Sequence, residues 1–285
     1  MKFQKLHPHK DEYIASAIRR GNELSGLKHD RSKEVSAYKI QQPYKHTKTF
    51  PPKIQFPAYM VELGITLNVL QNHTLYPICA ALGRTDSSNN YTPHRHWKIC
   101  LICAIEDIEE FGTVIIRRQN TLVYAKACDK HGATLHEYCP ACNKSITTHS
   151  ILKFDSCTKK YKAQAGSLDS PKHRYAKFIK ELLEYDEVHL TQTFTDSLII
   201  SMGSDIRFSE SHPYLRCIEL YINDSLDIPL PKTGALQNMG ISRFSAHAFT
   251  IFQDASNYLK HLKDIQEKIR ARYIVQEKTI MKSQL

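Results

Sequence analysis

The chain contains no apolar run approaching the roughly 18 residues that a helix needs to cross a bilayer. Its opening, MKFQKLHPHKDEY, lacks the apolar stretch of a secretion signal. These two absences set aside a helical membrane protein and an exported one, so the expected location is the cytoplasm, with no membrane partner. Internal repeats and low-complexity tracts are missing as well, which argues against a solenoid. What remains is ordinary in bulk: 41% apolar and 24% charged residues describe a globular chain. At 285 residues it can bury one large core or two modest ones.

Cysteine is the unusual component. A reducing compartment disfavours a disulfide framework, and six of the eight cysteines fall between Cys100 and Cys157. Cys79 and Cys217 stand apart and read as buried small apolar residues. Within the cluster an x2 spacing recurs three times, as Cys100-x2-Cys103, Cys128-x2-His131 and Cys139-x2-Cys142. Two ligands so spaced reach one ion from a single turn, as a tetrahedral zinc site requires. Cys100, Cys103, Cys128 and His131 make a closed set of three thiolates and an imidazole, which supplies folding energy and leaves no position for a substrate. Cys139 and Cys142 begin a second set, with Cys157 third and His149 fourth; Lys160 stands where a closing cysteine would be, and His136 is a further ligand candidate. Zn2+ is therefore the expected cofactor, with one ion in the first set and a second in the other. His136 and Glu137 beside the P-C-x2-C stretch echo a zinc deaminase, but that chemistry needs His-x-Glu and these two residues are adjacent. No recognisable acid/base set accompanies them, so the expectation is that the chain is not an enzyme.

The formal charge of +10 and pI near 9.1 point to a polyanionic partner. Periodicity gives a mainly α fold with small zinc-ribbon β elements. Residues 1–97 form an N-terminal helical part, with Tyr13, Ile14, Ala17 and Ile18 on one helix face. A long polar connection spans 26–57, and helical spacing resumes at Leu67, Val69 and Leu70. A zinc-binding block covers 98–165, and its β-branched run FGTVIIRRQNTLVYAKA predicts a strand or hairpin between half-sites. A C-terminal helical domain covers 171–285. There Tyr175, Phe178, Ile179, Leu182 and Leu183 share a face, and Phe249, Phe252, Leu259, Leu262, Ile269 and Tyr273 line a later one. The stretch 233–252 reads as a helix-turn-helix turning at Gly240, with Ser242 capping a second helix. Arg243, Ser245 and His247 would be exposed on that helix towards a major groove. Arg117 and Arg118, sent to opposite faces by strand alternation, offer one guanidinium to an internal carboxylate and one to phosphate, or else both form salt bridges within the ribbon. Lys126 and Lys130 add positive charge beside them.

Three stretches then carry a resemblance: HPHKDEYIASAIRRGNELSG at the start, HTLYPICAALG at 73–83, and the register of Gly112, Arg117-Arg118, Leu122, Cys128, His131 and Gly132. Over roughly residues 5–160 the chain resembles the TniQ/TnsD family of transposon target-selection proteins. It departs from the family pattern at Ile116, Asn120-Thr121, Val123-Tyr124, Leu101 and Asp129. The resemblance implies an adaptor of a Tn-type DNA transposon that binds target DNA or an RNA-guided complex and recruits an AAA+ ATPase. The alternative is a stand-alone transcription regulator with a zinc ribbon and helix-turn-helix. A homodimer is compatible with either.

Overall fold

Helices dominate the computed structural model, which describes residues 8–26, 45–46, 54–55, 67–82, 96–186, 213–230 and 240–283. Most of the long connection expected at 26–57 lies outside the described residues. So does the first half of the expected helix-turn-helix, and so do the side chains of Ile269 and Tyr273.

The first helix, α1 (Ile14–Leu24), starts where Tyr13 leaves extended backbone. The N–H of Tyr13 donates to the Ile116 carbonyl at 2.8 Å, which fixes the entry to α1 against the middle of the chain. Two short strands, β1 (Lys45–His46) and β2 (Ile54–Gln55), pair antiparallel. Then α2 (Leu67–His73) and α3 (Tyr76–Ala81) meet at a corner made by Thr74. Its hydroxyl donates to the Leu70 carbonyl at 2.6 Å and accepts from the Tyr76 N–H at 3.0 Å, so one side chain ends one helix and begins the next. The central helix α4 (Leu101–Phe111) stops at Gly112, whose φ of 68° is the left-handed cap that glycine adopts without a Cβ penalty. After the short α5 (Phe154–Thr158) comes α6 (Pro171–Leu182), which carries Pro171 in its first turn and is capped by Ser170 Oγ accepting from the His173 N–H at 3.2 Å. The described chain ends with α7 (Pro213–Leu226), α8 (Ile241–Phe252) and α9 (Ala255–Ser283). Between α8 and α9 the chain turns sharply at Gln253, with φ 64°, and Asp254 caps α9 by accepting from the Asn257 N–H at 2.8 Å.

Two hydrophobic cores result. In the larger one Tyr175, Phe178, Ile179 and Leu182 of α6 meet Phe244 and Phe249 of α8 and Tyr258 and Leu262 of α9, beneath α3. The Phe178 ring lies edge-on to Phe249 and Tyr258, at 5.7 and 6.0 Å. Each such ring contributes roughly 1.5–3 kcal/mol by burial. The smaller core joins Tyr13 to Trp97, Ile116, Ile151 and Phe154, with the Arg19 guanidinium 4.4 Å above the Trp97 ring. These cores cut across the segments read from sequence. Cys100, Cys103 and Cys128 belong to the larger core, and Cys139 and Cys157 to the smaller.

The hairpin expected between the half-sites does not form among the described residues, where isolated bridges and a 3₁₀ turn at Arg118–Thr121 replace it. The reason is the convergence of several carbonyls on one buried side chain. The buried Lys98 ammonium donates to the carbonyls of Asn120 (3.4 Å), Leu122 (2.5 Å) and Val123 (3.2 Å), and the Thr121 hydroxyl takes that of Arg118 at 2.7 Å. The consecutive carbonyls of Leu122 and Val123 meet one ammonium, so they cannot alternate in direction as a strand's do.

One ion pair sets how α4 returns along itself. Asp107, 2% exposed, accepts from both Arg117 Nη atoms at 2.8 and 2.9 Å and from the Ile115 N–H at 3.1 Å. Removing it strands a guanidinium and an amide together. Asp107→Ala is expected to lower stability by about 3 kcal/mol in a urea titration, a cost typical of breaking a buried pair.

Candidate metal centres

Eight ligand atoms gather into two groups: Cys100, Cys103, Cys128 and His131, and Cys139, Cys142, His149 and Cys157. Within each group the atoms lie within 4.8 Å of one another. In the first centre Cys103 Sγ is 3.6 Å from Cys128 Sγ, and His131 Nδ1 stands 3.3, 3.6 and 3.8 Å from the sulfurs of Cys103, Cys100 and Cys128. A tetrahedron with thiolates at about 2.3 Å and imidazole at about 2.0 Å has edges of roughly 3.5–3.8 Å. Three of the four spacings fall in that range and the His131–Cys103 pair is slightly shorter, so the donor set can hold a tetrahedral metal ion with no vertex left over.

The two halves of this centre come from different local structures. Cys100 occupies the cap position of α4 and Cys103 its first turn, where backbone amides point outward and favour thiolate charge. Thiol donors from Cys103 and Cys128 and the amides of Cys103 and Ile102 hold Cys100 down at about 3, whereas Cys103 is pushed far above the ordinary thiol value by sharing with its neighbours. A bound cation would favour the thiolate form of these sulfurs. His131 is oriented from behind: its Nε2 lies 3.2 Å from Glu106 Oε1, which leaves Nδ1 to face the sulfurs. Lys130 holds the other oxygen of that carboxylate at 2.8 Å.

The second centre follows the same logic in the smaller core. His149 Nδ1 bonds the Ser150 carbonyl at 2.7 Å, which directs Nε2 to Cys157 Sγ at 3.5 Å. The Tyr161 hydroxyl approaches Cys139 Sγ at 3.4 Å, and burial, then Cys139, pushes the Cys157 thiol up to about 12. Cys142 is the exposed member; the other seven ligands are buried or nearly so.

A short backbone repeat, much shorter than the internal repeats of a solenoid, joins the two. The Cys128 N–H donates to the Ala133 carbonyl at 2.8 Å and the Gly132 N–H to the Cys128 carbonyl at 2.9 Å, with Ala127 bridged to Thr134. The Cys139 N–H donates to Lys144 at 2.8 Å and the Asn143 N–H to Cys139 at 2.7 Å, with Tyr138 bridged to Ser145. Gly132 and Asn143, each four residues after the cysteine, both take positive φ, at 61° and 55°. The same knuckle is therefore built twice, eleven residues apart, closing once on histidine and once on cysteine. The matching spacing and a glycine or asparagine at the fourth place carried the signal in the sequence. Gly132 has a further reason: a Cβ there would stand 2.8 Å from the Ser167 carbonyl oxygen, and one on Gly166 would meet the Gly132 carbonyl at 2.1 Å.

The residues expected to meet nucleic acid are engaged inside the protein. Arg117 is on Asp107. The Arg118 guanidinium donates to the Gln71, Thr74 and Leu183 carbonyls and to Asp11, whose other oxygen takes Lys180 at 2.6 Å. Both arginines therefore follow the internal reading, and neither is free for phosphate. Lys126 pairs with Asp227 at 2.8 Å and Lys130 with Glu106. On α8 the correction is larger. Gly240, not Ser242, caps the helix; Arg243 and His247 both contact Glu219, and Ser245 bonds the Tyr175 hydroxyl at 2.7 Å. All three positions are buried because α8 packs its early turns against α6 and α7. His136 lies in neither metal group, and Cys217 is exposed where a buried one was expected.

The three stretches behind the family resemblance converge around Arg118. Its N–H donates to the Asp11 carbonyl, its side chain reaches Thr74, and His73 Nδ1 bonds the Glu12 carbonyl at 3.0 Å. No family model matches the chain, and no curated protein matches it either.

Purified full-length chain is expected to carry about two equivalents of metal by elemental analysis. Cys142→Ser should leave about one equivalent with helical circular dichroism retained, because the exposed ligand serves the smaller core alone. Cys128→Ser should instead lose folded protein, since its sulfur sits inside the larger core. His247 gives a separate test: burial, then Arg243, holds it at about 3, against 6.5 when free. Below pH 6.5 the unfolded chain gains a proton that the folded one refuses, so stability is lost as pH falls from 6.5 towards 3. Between pH 7 and 5 the wild type should lose more stability than His247→Asn in urea titrations, by at most about 2 kcal/mol, because the Glu219 carboxylate 2.7 Å from Nε2 favours the charged ring.

Proposed function

We propose that the chain is a zinc-stabilised, non-catalytic adaptor in the target selection of a DNA transposon, binding a target nucleic acid or an RNA-guided complex and recruiting an AAA+ ATPase. The observation that carries the scaffold part of this reading is the closure of both centres. Each spends all four donors within the protein, so a bound ion has no open position at which to activate water or polarise a carbonyl. Zinc is the ion that suits three thiolates and one imidazole in tetrahedral array; when bound it supplies cross-linking and charge neutralisation, not turnover.

The transposition part rests on the resemblance of residues 5–160, and it is supported by the meeting of residues from its three stretches. Asp11, Thr74 and Arg118 are far apart in sequence and meet in one polar cluster beside α6. Such a cluster fixes the N-terminal helices against the metal-bearing middle of the chain. A rigid surface of that kind is what an adaptor needs, because it must hold two large partners in register without changing shape itself.

Capture provides the test. Immobilised full-length chain should retain the AAA+ ATPase encoded beside its gene, with retention increased at least several-fold by ATP and DNA together. Retention unaffected by ATP and DNA, or tight binding to the chain's own promoter with no ATPase captured, would count against the adaptor.

A further inference from the structure

A groove of about 620 Å³ runs between the two metal centres. Its floor comes from the first turn of α4 at Leu101 and Ile102 and from the return of the first knuckle at Thr134 and His136. Pro140 of the second knuckle forms one rim, and Lys160, Lys162 and Gln164 the other.

That second rim is held at both ends. Tyr161 is tethered to Cys139 of the second centre at 3.4 Å, and the Lys160 N–H donates to the Cys157 carbonyl at 2.9 Å. Four residues beyond Lys162 the Gly166 N–H donates to the His131 carbonyl at 3.0 Å, against the first centre. The segment is therefore strung across the gap between the centres. Its lysines are displayed at fixed places, not on a free loop.

The lining has one sign of charge. It contains no carboxylate, while Lys160 and Lys162 make no ion pair among the described residues. The contrast with their neighbours is direct, since Lys159 is on Asp155 at 3.0 Å and Lys130 on Glu106. Glu137, adjacent to His136 in sequence, faces His96 at 3.4 Å. Gln164, Thr134 and the His136 ring add neutral hydrogen-bonding groups. Burial lowers His136 below its ordinary value, so it acts as a neutral donor near pH 7.

We propose that this groove binds the phosphodiester backbone of a nucleic acid, with Lys160 and Lys162 contacting phosphate oxygens and Gln164 and Thr134 donating beside them. The groove deepens the adaptor reading by assigning its nucleic-acid contact to a surface distinct from the residues expected from sequence. Its place between the two knuckle turns suits a passing strand, and Tyr138, 58% exposed two residues before Pro140, offers an aromatic face beside it.

Fluorescence anisotropy on metal-loaded full-length chain tests this, using random-sequence duplex DNA, single-stranded DNA and single-stranded RNA. Lys160→Ala/Lys162→Ala should weaken binding at least tenfold and reduce the slope of log affinity against log salt by about 2. Metal content should stay unchanged, and Lys153→Ala/Lys177→Ala, outside the groove, should bind as the wild type does. Equal binding by the groove variant and wild type would overturn the proposal, and so would wild-type failure to bind any of the three at low salt. Loss of metal from the groove variant without loss of binding would also overturn it, making the lysines counterions of the thiolates. ATPase capture that fails while lysine-dependent binding holds would count against the adaptor reading alone.

Discussion

Four donors closing on one point form the constraint on which the rest of the structure depends. At the first centre they fasten the start of α4 to a turn some twenty-five residues later, inside a core that continues through α6, α8 and α9. At the second they fasten a copy of that turn to α5, inside a different core. Neither core contains much regular sheet among the described residues, and metal closure would supply what strand pairing supplies in a small β domain. The orienting groups matter as much as the donors: Glu106 behind His131 and the Ser150 carbonyl behind His149 select which ring nitrogen points inward.

Much of this was legible in the sequence, for a physical reason. An x2 spacing is set by the geometry of one turn, and it stays the same whatever surrounds it. The eight candidate ligands therefore gather in the two groups expected, including His149. The apolar stripe Tyr175, Phe178, Ile179, Leu182 was equally readable, since helical periodicity is local. The hairpin was not. Its β-branched residues favour a strand, but the Lys98 ammonium draws three carbonyls to one point, and no local pattern announces a lysine turned inward over twenty residues away.

Charge was misleading in a related way. Arg243 was expected at an exposed groove-facing position and Arg117 and Arg118 either at phosphate or in internal pairs, yet each belongs to a carboxylate or carbonyl cluster inside the protein. Pairing of this kind is decided by tertiary packing, and guanidinium forks are well suited to it. The lysines left over are the ones that face outward with no acid nearby. Net charge alone therefore says little about where an anion would sit, and the distribution of unpaired cations says more.

The contact between Gly132 and Gly166 carries a last implication, concerning inheritance. A side chain on either would strike main-chain atoms around the other, and main chain cannot be trimmed by a second substitution. Replacing one glycine therefore cannot be rescued at its counterpart. The pair is closed to stepwise drift: a lineage keeps both, or it re-routes the whole segment that spans the two knuckles.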